Sequence, residues 1–219
     1  MKKKVEIDQE LVDSFHRLFY DAALIGKTWE AATYFGTRLW KSPLDLQLYQ
    51  ELVWEIKPRV ILETGTAFGG SALYFAHLLD YLSAGRVLSI DLQPLRQEYP
   101  KHPRIQYFGG RSSVDPRVLA ASKAWIDEEA PIIVVLDSDH SKEHVLRELD
   151  AYSKLVAPGG YLIVEDTNIN GNPVFAEFGP GPKEALDVWL PLHSDFQVDR
   201  RRQDKYLFSF HTWLRRMRV

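Results

Sequence analysis

The sequence has no cysteine, no long apolar run and no dominant basic stripe, and each absence excludes a class of protein. Without cysteine among its 219 residues, the chain has no disulfide, thiolate nucleophile or cysteine-ligated zinc site, and a reducing cytoplasm is the expected compartment. No segment approaches the roughly 20 apolar residues that a membrane helix needs. Arg200–Arg202 is a short basic run in a chain of net charge −3, which indicates a solvated turn rather than a nucleic-acid surface.

The length and composition fit one globular domain that begins with helices. The chain is 45% hydrophobic and 26% charged, which are ordinary values. The basic start Met1–Lys4 leads into mixed polar sequence, so no signal peptide is predicted. Apolar residues three to four apart predict a helix over 8–24, and the cap-and-proline pair Ser42-Pro43 predicts a second helix, which ends near Ile56.

From residue 59 onward, short apolar strands alternate with helical segments. Strands are predicted at 59–63, 86–91, 104–108, 132–136 and 161–165, and helices at 70–82, 115–128, 141–156 and 181–190. Two further strands, 196–199 and 206–210, are predicted to form a hairpin. The alternation predicts a Rossmann-like, doubly wound α/β fold, with N-terminal helices followed by a mostly parallel seven-stranded sheet whose last strand is antiparallel.

A glycine-rich turn, Glu63-Thr-Gly-Thr-Ala-Phe-Gly-Gly-Ser71, follows the first of these strands. Ligands of open α/β sheets bind beyond the carboxyl ends of the strands. Gly65 permits a tight turn, and Gly69 and Gly70 let the next helix present its free N–H groups to a ligand. Asp91 ends the second strand, where an acid can hold the hydroxyls of an adenosine ribose.

Two cofactors fit this arrangement, S-adenosylmethionine and NAD. The dinucleotide fingerprint is G-x-G-x-x-G, whereas this turn reads G-x-x-x-G-G. Glu63, two positions before the first glycine, would repel a pyrophosphate and attract the ammonium of a methionine moiety, so the pattern favours S-adenosylmethionine. The alternative, a plain strand–turn–helix corner, would leave Glu63 and Asp91 unexplained.

Three acids follow the fourth and fifth predicted strands. Asp137 comes after the fourth strand, and Glu165 and Asp166 come after the fifth. If these strands are neighbours, the carboxylates converge at one rim of the sheet and require a cation or a proton between them. Oxygen ligands without cysteine suit Mg²⁺, or else Mn²⁺ or Ca²⁺. Alternatively, Glu165-Asp166 is a simple strand end followed by a turn.

The residues after the first of these acids also have structural interpretations. Ser138 or Asp139 would cap the following helix. His140 is either a base that faces the site or a structural histidine. With His144 it forms an i, i+4 pair that can bind a transition metal, but the Glu of H-E-x-x-H is missing.

Three segments together resemble the cephalosporin hydroxylase family: Leu62–Ala72, Asp137–His140 and Val164–Gly171. Members of that family are similar to class I S-adenosylmethionine-dependent methyltransferases and include rhamnosyl O-methyltransferases. The resemblance spans residues 25–210 and implies a methyltransferase domain at 58–219 that follows a helical extension or lid at 1–57. A hydroxylase activity is not expected, because the sequence shows no two-His-one-carboxylate triad.

The family in turn resembles the metal-dependent O-methyltransferases of the catechol type, which implies roles for individual residues. Asp137, Glu165 and Asp166 would hold Mg²⁺ or Mn²⁺. His140 stands where the catechol enzymes carry a catalytic lysine, so the resemblance does not settle which residue is the general base. The candidate catalytic residues are His140 and Asp137. The implied cofactor-binding residues are Glu63, Gly65, Thr66, Gly69, Gly70, Ser71, Asp91, Arg111 and Ser112.

The implied reaction is O-methylation of a vicinal diol, in a sugar, a natural product or a catechol-like ring. Two alternatives stay open, a non-catalytic adenosylmethionine-binding protein and a NAD-dependent oxidoreductase. The aromatic segment 29–40 is either a lid over the acceptor or packing for the N-terminal helices, and Asn168 and Asn170 either contact the site or form a turn. The expected partner is the small-molecule acceptor, without nucleic acid or membrane insertion, and a homo-oligomer is compatible with the sequence.

Overall fold

The computed structural model describes residues 7–20, 28–126 and 131–218 and is organised around a seven-stranded sheet. The strands are β1 (Thr33–Tyr34), β2 (Thr37–Arg38), β3 (Val60–Thr64), β4 (Arg86–Ile90), β5 (Ile105–Phe108), β6 (Ile132–Leu136), β7 (Tyr161–Val164), β8 (Phe196–Val198) and β9 (Thr212–Arg216). The α-helices are α1 (Gln9–Tyr20), α2 (Pro43–Ile56), α3 (Gly70–Tyr81), α4 (Pro116–Trp125), α5 (Lys142–Tyr152), α6 (Pro182–Trp189) and α7 (Arg200–Gln203). Short 3₁₀ turns lie at Thr28–Ala31, Ser153–Leu155 and Leu190–Leu192.

The order of the strands places a crevice at the middle of the sheet. β1 and β2 pair with each other, and the remaining strands follow the order β5-β4-β3-β6-β7-β9-β8. The five strands from β5 to β7 are parallel, so their carboxyl ends share one edge. The chain moves outward from β3 to β5 and then returns to the other side of β3, and ligands of such sheets bind where the strand order reverses.

Helices cover the sheet on both faces, which confirms the predicted doubly wound fold. Every residue of β3, β6 and β7 is buried, as expected for apolar strands covered on two sides. α2 and α3 contribute Leu52, Phe75 and Leu79 to one apolar layer. α4 and α5 contribute Val118 and Leu149 to the other. β9 runs antiparallel to β7, as expected for the last strand.

The predicted C-terminal hairpin is confirmed in its antiparallel pairing but wrong in its second strand. β8 pairs with β9, and not with the segment 206–210. That segment is instead fixed to α2 by side chains: the Tyr206 hydroxyl donates to Glu51 and the Ser209 hydroxyl donates to Asp45. These polar contacts take the place of strand hydrogen bonds, so the apolar run at 206–210 does not form the predicted strand.

The basic run Arg200–Arg202 is likewise more than a solvated turn. It forms the short helix α7, and the Asp199 side chain accepts the Arg202 N–H as its cap. The guanidinium of Arg202 is buried and bound to Glu55 on α2. One of the three charges therefore ties the C-terminal part of the chain to the helical layer.

The other predicted elements agree with the structure to within a few residues. Residues 21–24 of the first predicted helix and residues 127–128 of the helix predicted at 115–128 lie outside the described residues. Within the described ranges, no helix is long and apolar enough to cross a membrane. The division of the chain between 57 and 58 stays a prediction. α2, which precedes it, packs into the same apolar layer as β3 and α3.

Candidate active site

One cavity of about 720 Å³ opens along the carboxyl edge of the sheet. The turn after β3, Asp91 and Ser112 line one end, and Asp137, His140 and Asp166 line the other. Aromatic side chains from α1 and from loops close its sides: Phe19, Tyr20, Trp29, Trp40, Phe68, Phe175 and Phe178. The structure therefore joins the predicted cofactor region and the predicted metal region in one space.

The glycines of the turn are required by the approach of other segments of the chain. Gly65 has a φ of +88°, and a Cβ there would lie 1.8 Å from the carbonyl oxygen of Asp137. A Cβ at Gly70 would lie 2.1 Å from the carbonyl oxygen of Arg38. Gly69, with a φ of +80°, precedes the first residue of α3. Gly65 and Gly70 thus let β6 and β2 pass close to the turn, whether or not a ligand is bound.

Asp91 holds the turn in place and still faces the cavity. Its Oδ2 accepts the N–H groups of Thr66 and Ala67, each at 3.0 Å, and its Oδ1 accepts the N–H of Gln93 at 2.8 Å. A carboxylate has about four acceptor positions, so capacity remains for a hydroxyl donor. This arrangement fits the ribose role expected of Asp91.

Glu63 lies behind the cavity wall. Its carboxylate is 1% exposed and accepts the Ser89 hydroxyl at 2.7 Å. Burial raises the pKa of Glu63 to about 7, against the lowering effects of the Lys41 charge and of hydrogen bonds from Ser89 and Ser71. A direct contact between Glu63 and a cofactor therefore stays a prediction, whereas Ser71, at the start of α3, does line the cavity.

Of the other predicted cofactor residues, some line the cavity and some do not. Thr66 and Ser112 line the cavity, whereas Gly69 and Arg111 do not. The Arg111 guanidinium lies 3.3 Å from Asp115, which caps α4. A contact between Arg111 and the cofactor stays a prediction.

At the opposite end of the cavity, three potential metal ligands converge. Asp137, His140 and Asp166 each offer one ligand atom, and these atoms lie within 4.8 Å of one another. His140 Nε2 is 3.2 Å from Asp166 Oδ2 and 3.8 Å from Asp137 Oδ1. The register between β6 and β7 produces this convergence, because Leu136 pairs with Val164 and the acids Asp137 and Asp166 follow one and two residues later.

Glu165, the third predicted ligand, is bound by a buried lysine. Lys41 Nζ lies 2.6 Å from both Glu165 oxygens and 2.9 Å from Asp137 Oδ2. The Tyr49 hydroxyl donates to Glu165 at 2.6 Å. Burial alone would raise the pKa of Glu165, but the charge of Lys41 and the hydrogen bonds from Lys41 and Tyr49 lower it to about 2. Burial likewise opposes the charge on Lys41, but Asp137 and Glu165 outweigh it and raise the pKa of this lysine.

The cluster remains short of positive charge despite Lys41. Burial and the neighbouring carboxylates of Glu165 and Asp166 raise the pKa of Asp137 well above its ordinary value, and Lys41 only partly offsets them. Converging carboxylates of this kind are relieved by a cation, and oxygen-rich ligand sets suit Mg²⁺ or Mn²⁺. The residues at this end of the cavity therefore fit a divalent metal.

Comparisons with known proteins agree with this fold and site. A family model described as "Rhamnosyl O-methyltransferase/CmcI" matches residues 26–217. The chain belongs to this family. A rhamnosyl O-methyltransferase of Mycobacterium tuberculosis is 36% identical over 202 residues, which are 90% of this chain and 80% of the relative. One from Mycobacterium leprae is 33% identical over 207 residues, 92% of this chain and 88% of the relative.

A solved structure of CmcI, described as containing Mg and SAM, superposes on the whole chain. Its TM-score is 0.65 at 19% identity, and 88% of that chain is covered. At this identity the likeness establishes the fold. The family that the three sequence segments predicted is thus confirmed by an independent match.

In this member of the rhamnosyl O-methyltransferase/CmcI family, sequence reasoning missed the side chains that support the acids. Lys41 was not predicted to have a role at the site, although it lies within the stretch that resembles the family. Tyr20, at the end of α1, donates its hydroxyl to Asp166 Oδ1 at 2.6 Å. His211 accepts the Asp166 N–H. These residues lie far from the acids in the chain, so no local motif connects them.

The remaining sequence interpretations have structural outcomes. The predicted cap at Ser138 or Asp139 is wrong, because the N-cap of α5 is Ser141, whose side chain makes no capping hydrogen bond. Asp139 instead accepts the N–H of Ser141 itself at 2.8 Å, and the Ser138 hydroxyl donates to Glu148. His144 turns away from His140 toward the Ser113 hydroxyl, at 3.1 Å, and among the described residues the ligand cluster does not include it. Asn170 binds Glu184 and the N–H of Gly179, which is the turn expected for it, and Asn168 is buried.

Proposed function

We propose that the protein transfers a methyl group from S-adenosylmethionine to one hydroxyl of a vicinal diol on a sugar, with a divalent metal, Mg²⁺ or Mn²⁺, at the acidic end of the cavity. The observation that carries this proposal is the single cavity that has a glycine-rich turn with Asp91 at one end and Asp137, His140 and Asp166 at the other. Methyl transfer needs a donor and an acceptor held in line, and one continuous space is suited to that.

The cofactor would lie at the end formed by the turn. S-adenosylmethionine supplies a sulfonium methyl group that is already reactive, so the protein's task is positioning. Asp91 would accept the ribose hydroxyls with the acceptor capacity left after binding the turn N–H groups. Ser71 and Ser112 line the cavity as further contacts. Glu63 would act on the methionine ammonium from behind Ser71, through its negative charge.

Asp137 and Asp166 would hold the metal. When bound there, it would orient both hydroxyls of a vicinal diol and lower their pKa. Glu165 is the third proposed ligand, and in this structure its carboxylate is bound by Lys41. Lys41 would keep the remaining charge balanced, since its ammonium lies between Asp137 and Glu165.

His140 is proposed as the group that takes the acceptor proton. His140 lines the cavity, and its Nε2 lies 3.2 Å from Asp166 Oδ2 at the acidic end. A general base must lie within hydrogen-bond reach of the proton that it removes, and the position of His140 in the cavity wall supports this role.

A sugar acceptor is supported by chemistry and by kinship. The mycobacterial relatives carry the name rhamnosyl O-methyltransferase at up to 36% identity. Sugars present vicinal hydroxyls on one edge and C–H faces that pack on aromatic rings. Trp40 and Phe68, with ring centroids 5.0 Å apart, supply such rings beside the cavity.

The test is a methyl-transfer assay with labelled S-adenosylmethionine and a pair of acceptors: an alkyl rhamnoside and the deoxy analogue that lacks one of its vicinal hydroxyls. Transfer to the rhamnoside should require Mg²⁺ or Mn²⁺, stop in EDTA and fail with the deoxy analogue. Asp137→Asn should reduce transfer by at least about 100-fold, because a ligand and its charge are lost.

Asp139→Asn is the matched control, because Asp139 accepts only the Ser141 N–H before α5 and lies two residues away on the same rim. It should keep most of the activity. Transfer that persists in EDTA, or equal losses in the two variants, would reject a metal role for this cluster. Binding of NAD instead of S-adenosylmethionine, measured by calorimetry, would reject the methyltransferase hypothesis.

A further inference from the structure

The main chain of Asp166 adopts a conformation that other contacts must hold. Its φ is +52°, in the left-handed region that residues other than glycine adopt uncommonly. β7 ends just before this point, and the Glu165 N–H makes a main-chain hydrogen bond to the Leu136 carbonyl at 3.0 Å. The next N–H, that of Asp166, turns away from β6 and needs another acceptor, because a buried donor without one is costly.

His211 supplies that acceptor. Its Nδ1 receives the Asp166 N–H at 3.1 Å, and its side chain is 3% exposed. His211 directly precedes β9, whose first residue, Thr212, pairs with Val164 of β7. The imidazole therefore extends the pairing of these two strands by one residue, with a side-chain nitrogen in place of a carbonyl.

This hydrogen bond fixes which ring nitrogen of His211 carries the proton. Nδ1 accepts, so the proton is on Nε2. Nε2 lies 3.4 Å from Asp45 Oδ2 and 3.8 Å from Glu165 Oε2, without an aligned hydrogen bond to either among the described residues. The Nε2–H thus faces two carboxylates, which favour this tautomer.

Asp45 is held rigidly on the far side of the ring. It lies in the first turn of α2 and is fully buried. Its Oδ1 accepts the Ser209 hydroxyl at 2.7 Å, and its Oδ2 accepts the Phe210 N–H at 3.4 Å. One carboxylate therefore fixes the loop that leads into β9 and faces the proton of His211.

We infer that Asp45 and His211 are positioning residues for the Asp166 carboxylate, an inference that rests on the proposed metal-dependent function. His211 holds the Asp166 main chain in its left-handed conformation, and the Asp45 carboxylate beside Nε2 favours the tautomer in which Nδ1 accepts. Groups that orient a metal ligand affect affinity nearly as strongly as some ligands do, with typical losses of about 10- to 100-fold.

A pair of substitutions separates this role from general packing. In His211→Asn the amide oxygen can stand near the position of Nδ1, whereas in His211→Gln the amide lies near Nε2. Binding of Mn²⁺ alone, measured by electron paramagnetic resonance, should be within about threefold of wild type in His211→Asn and about 10- to 100-fold weaker in His211→Gln. Equal affinities in the two variants would overturn the inference.

The hydrogen bond from the Asp166 N–H to His211 Nδ1 can be observed directly in the wild-type protein. With ¹⁵N labelling, nuclear magnetic resonance should show the Nε2–H tautomer of His211 and a scalar coupling across the hydrogen bond between Asp166 N and His211 Nδ1. A proton on Nδ1 would overturn the positioning role even if neither variant folds. Wild-type protein that binds no Mn²⁺ yet shows the coupling would instead reject the proposed metal dependence, and with it any effect of His211 on a metal.

Discussion

The two ends of the cavity are held by different kinds of contact. At the turn after β3, the Asp91 carboxylate accepts main-chain N–H groups from Thr66 and Ala67, 25 and 24 residues earlier. Glycine matters here because other main chains pass within a few ångströms of the turn. This end is therefore fixed by main-chain atoms, most of them within one strand–helix–strand unit.

At the acidic end, charged side chains from distant segments meet. Lys41 reaches Asp137 and Glu165 across 96 and 124 residues, and Tyr20 reaches Asp166 across 146 residues. These contacts exist only when the whole chain is folded. Changes to single polar side chains should therefore act most strongly at the acidic end, whereas the turn should be most sensitive to an added Cβ.

The largest effect is expected from Lys41→Met. It would leave Asp137 and Glu165 buried beside each other without their counter-charge, and loss of one partner of a buried pair costs about 3–5 kcal/mol. Urea unfolding measures the free energy of unfolding. Lys205→Met is the control, because Lys205 is an exposed lysine bound to Glu51 and its loss should change the free energy of unfolding far less. Similar losses for both variants would contradict a special role for Lys41.

Gly65→Ala should destabilise the turn by about 3 kcal/mol or more, because it combines a positive φ with a Cβ placed 1.8 Å from the Asp137 carbonyl oxygen. Gly110→Ala separates these two causes. Gly110 has a φ of +78° but open space around its Cβ position, so its cost should be on the order of 1 kcal/mol. If the two variants were equally stable in thermal unfolding, close chain approach would not explain Gly65.

Glu63 predicts a pH dependence at the cofactor end. Its pKa in the folded protein, about 7, is above the ordinary value of 4.5, so the folded state holds a proton that the unfolded chain releases earlier as pH rises. The resulting stabilisation is full below pH 4.5 and is lost as pH rises through about 7, and its size is at most about 3 kcal/mol. In Glu63→Gln this part of the decline should be absent, so the difference in free energy of unfolding between wild type and variant should change as pH rises through about 7. Parallel profiles from pH 4.5 to 8 would show that Glu63 does not titrate in this way.

The smallest effect is expected from Tyr20→Phe. It removes one hydroxyl that donates to a carboxylate, a hydrogen bond worth about 2 kcal/mol. Tyr99→Phe is the matched control, because the Tyr99 hydroxyl is buried and has no hydrogen-bond partner in the part of the chain described. The comparison is made by chemical unfolding. A larger loss for Tyr99→Phe than for Tyr20→Phe would argue against α1 being held at Asp166.

The contrast between local contacts at the turn and long-range contacts at the acidic end also explains which site residues could be predicted from the sequence. The turn, Asp91 and the acids after β6 and β7 could be predicted, because strand ends and glycine spacing are local signals. Lys41 and His211 could not, since nothing in their neighbouring residues indicates that they face Glu165 and Asp166. The strand expected at 206–210 failed for the same reason, because its position is set by contacts with α2.

The most direct test of the central claim is a calorimetric titration of Mg²⁺ into the protein saturated with S-adenosylmethionine. Wild-type protein and Asp139→Asn should each bind one Mg²⁺ per chain, and Asp137→Asn should bind it at least about 10-fold more weakly, because a charged ligand is lost. Equal Mg²⁺ binding by all three proteins, or none by wild type, would contradict a metal-dependent methyltransferase site at the acidic end of this cavity.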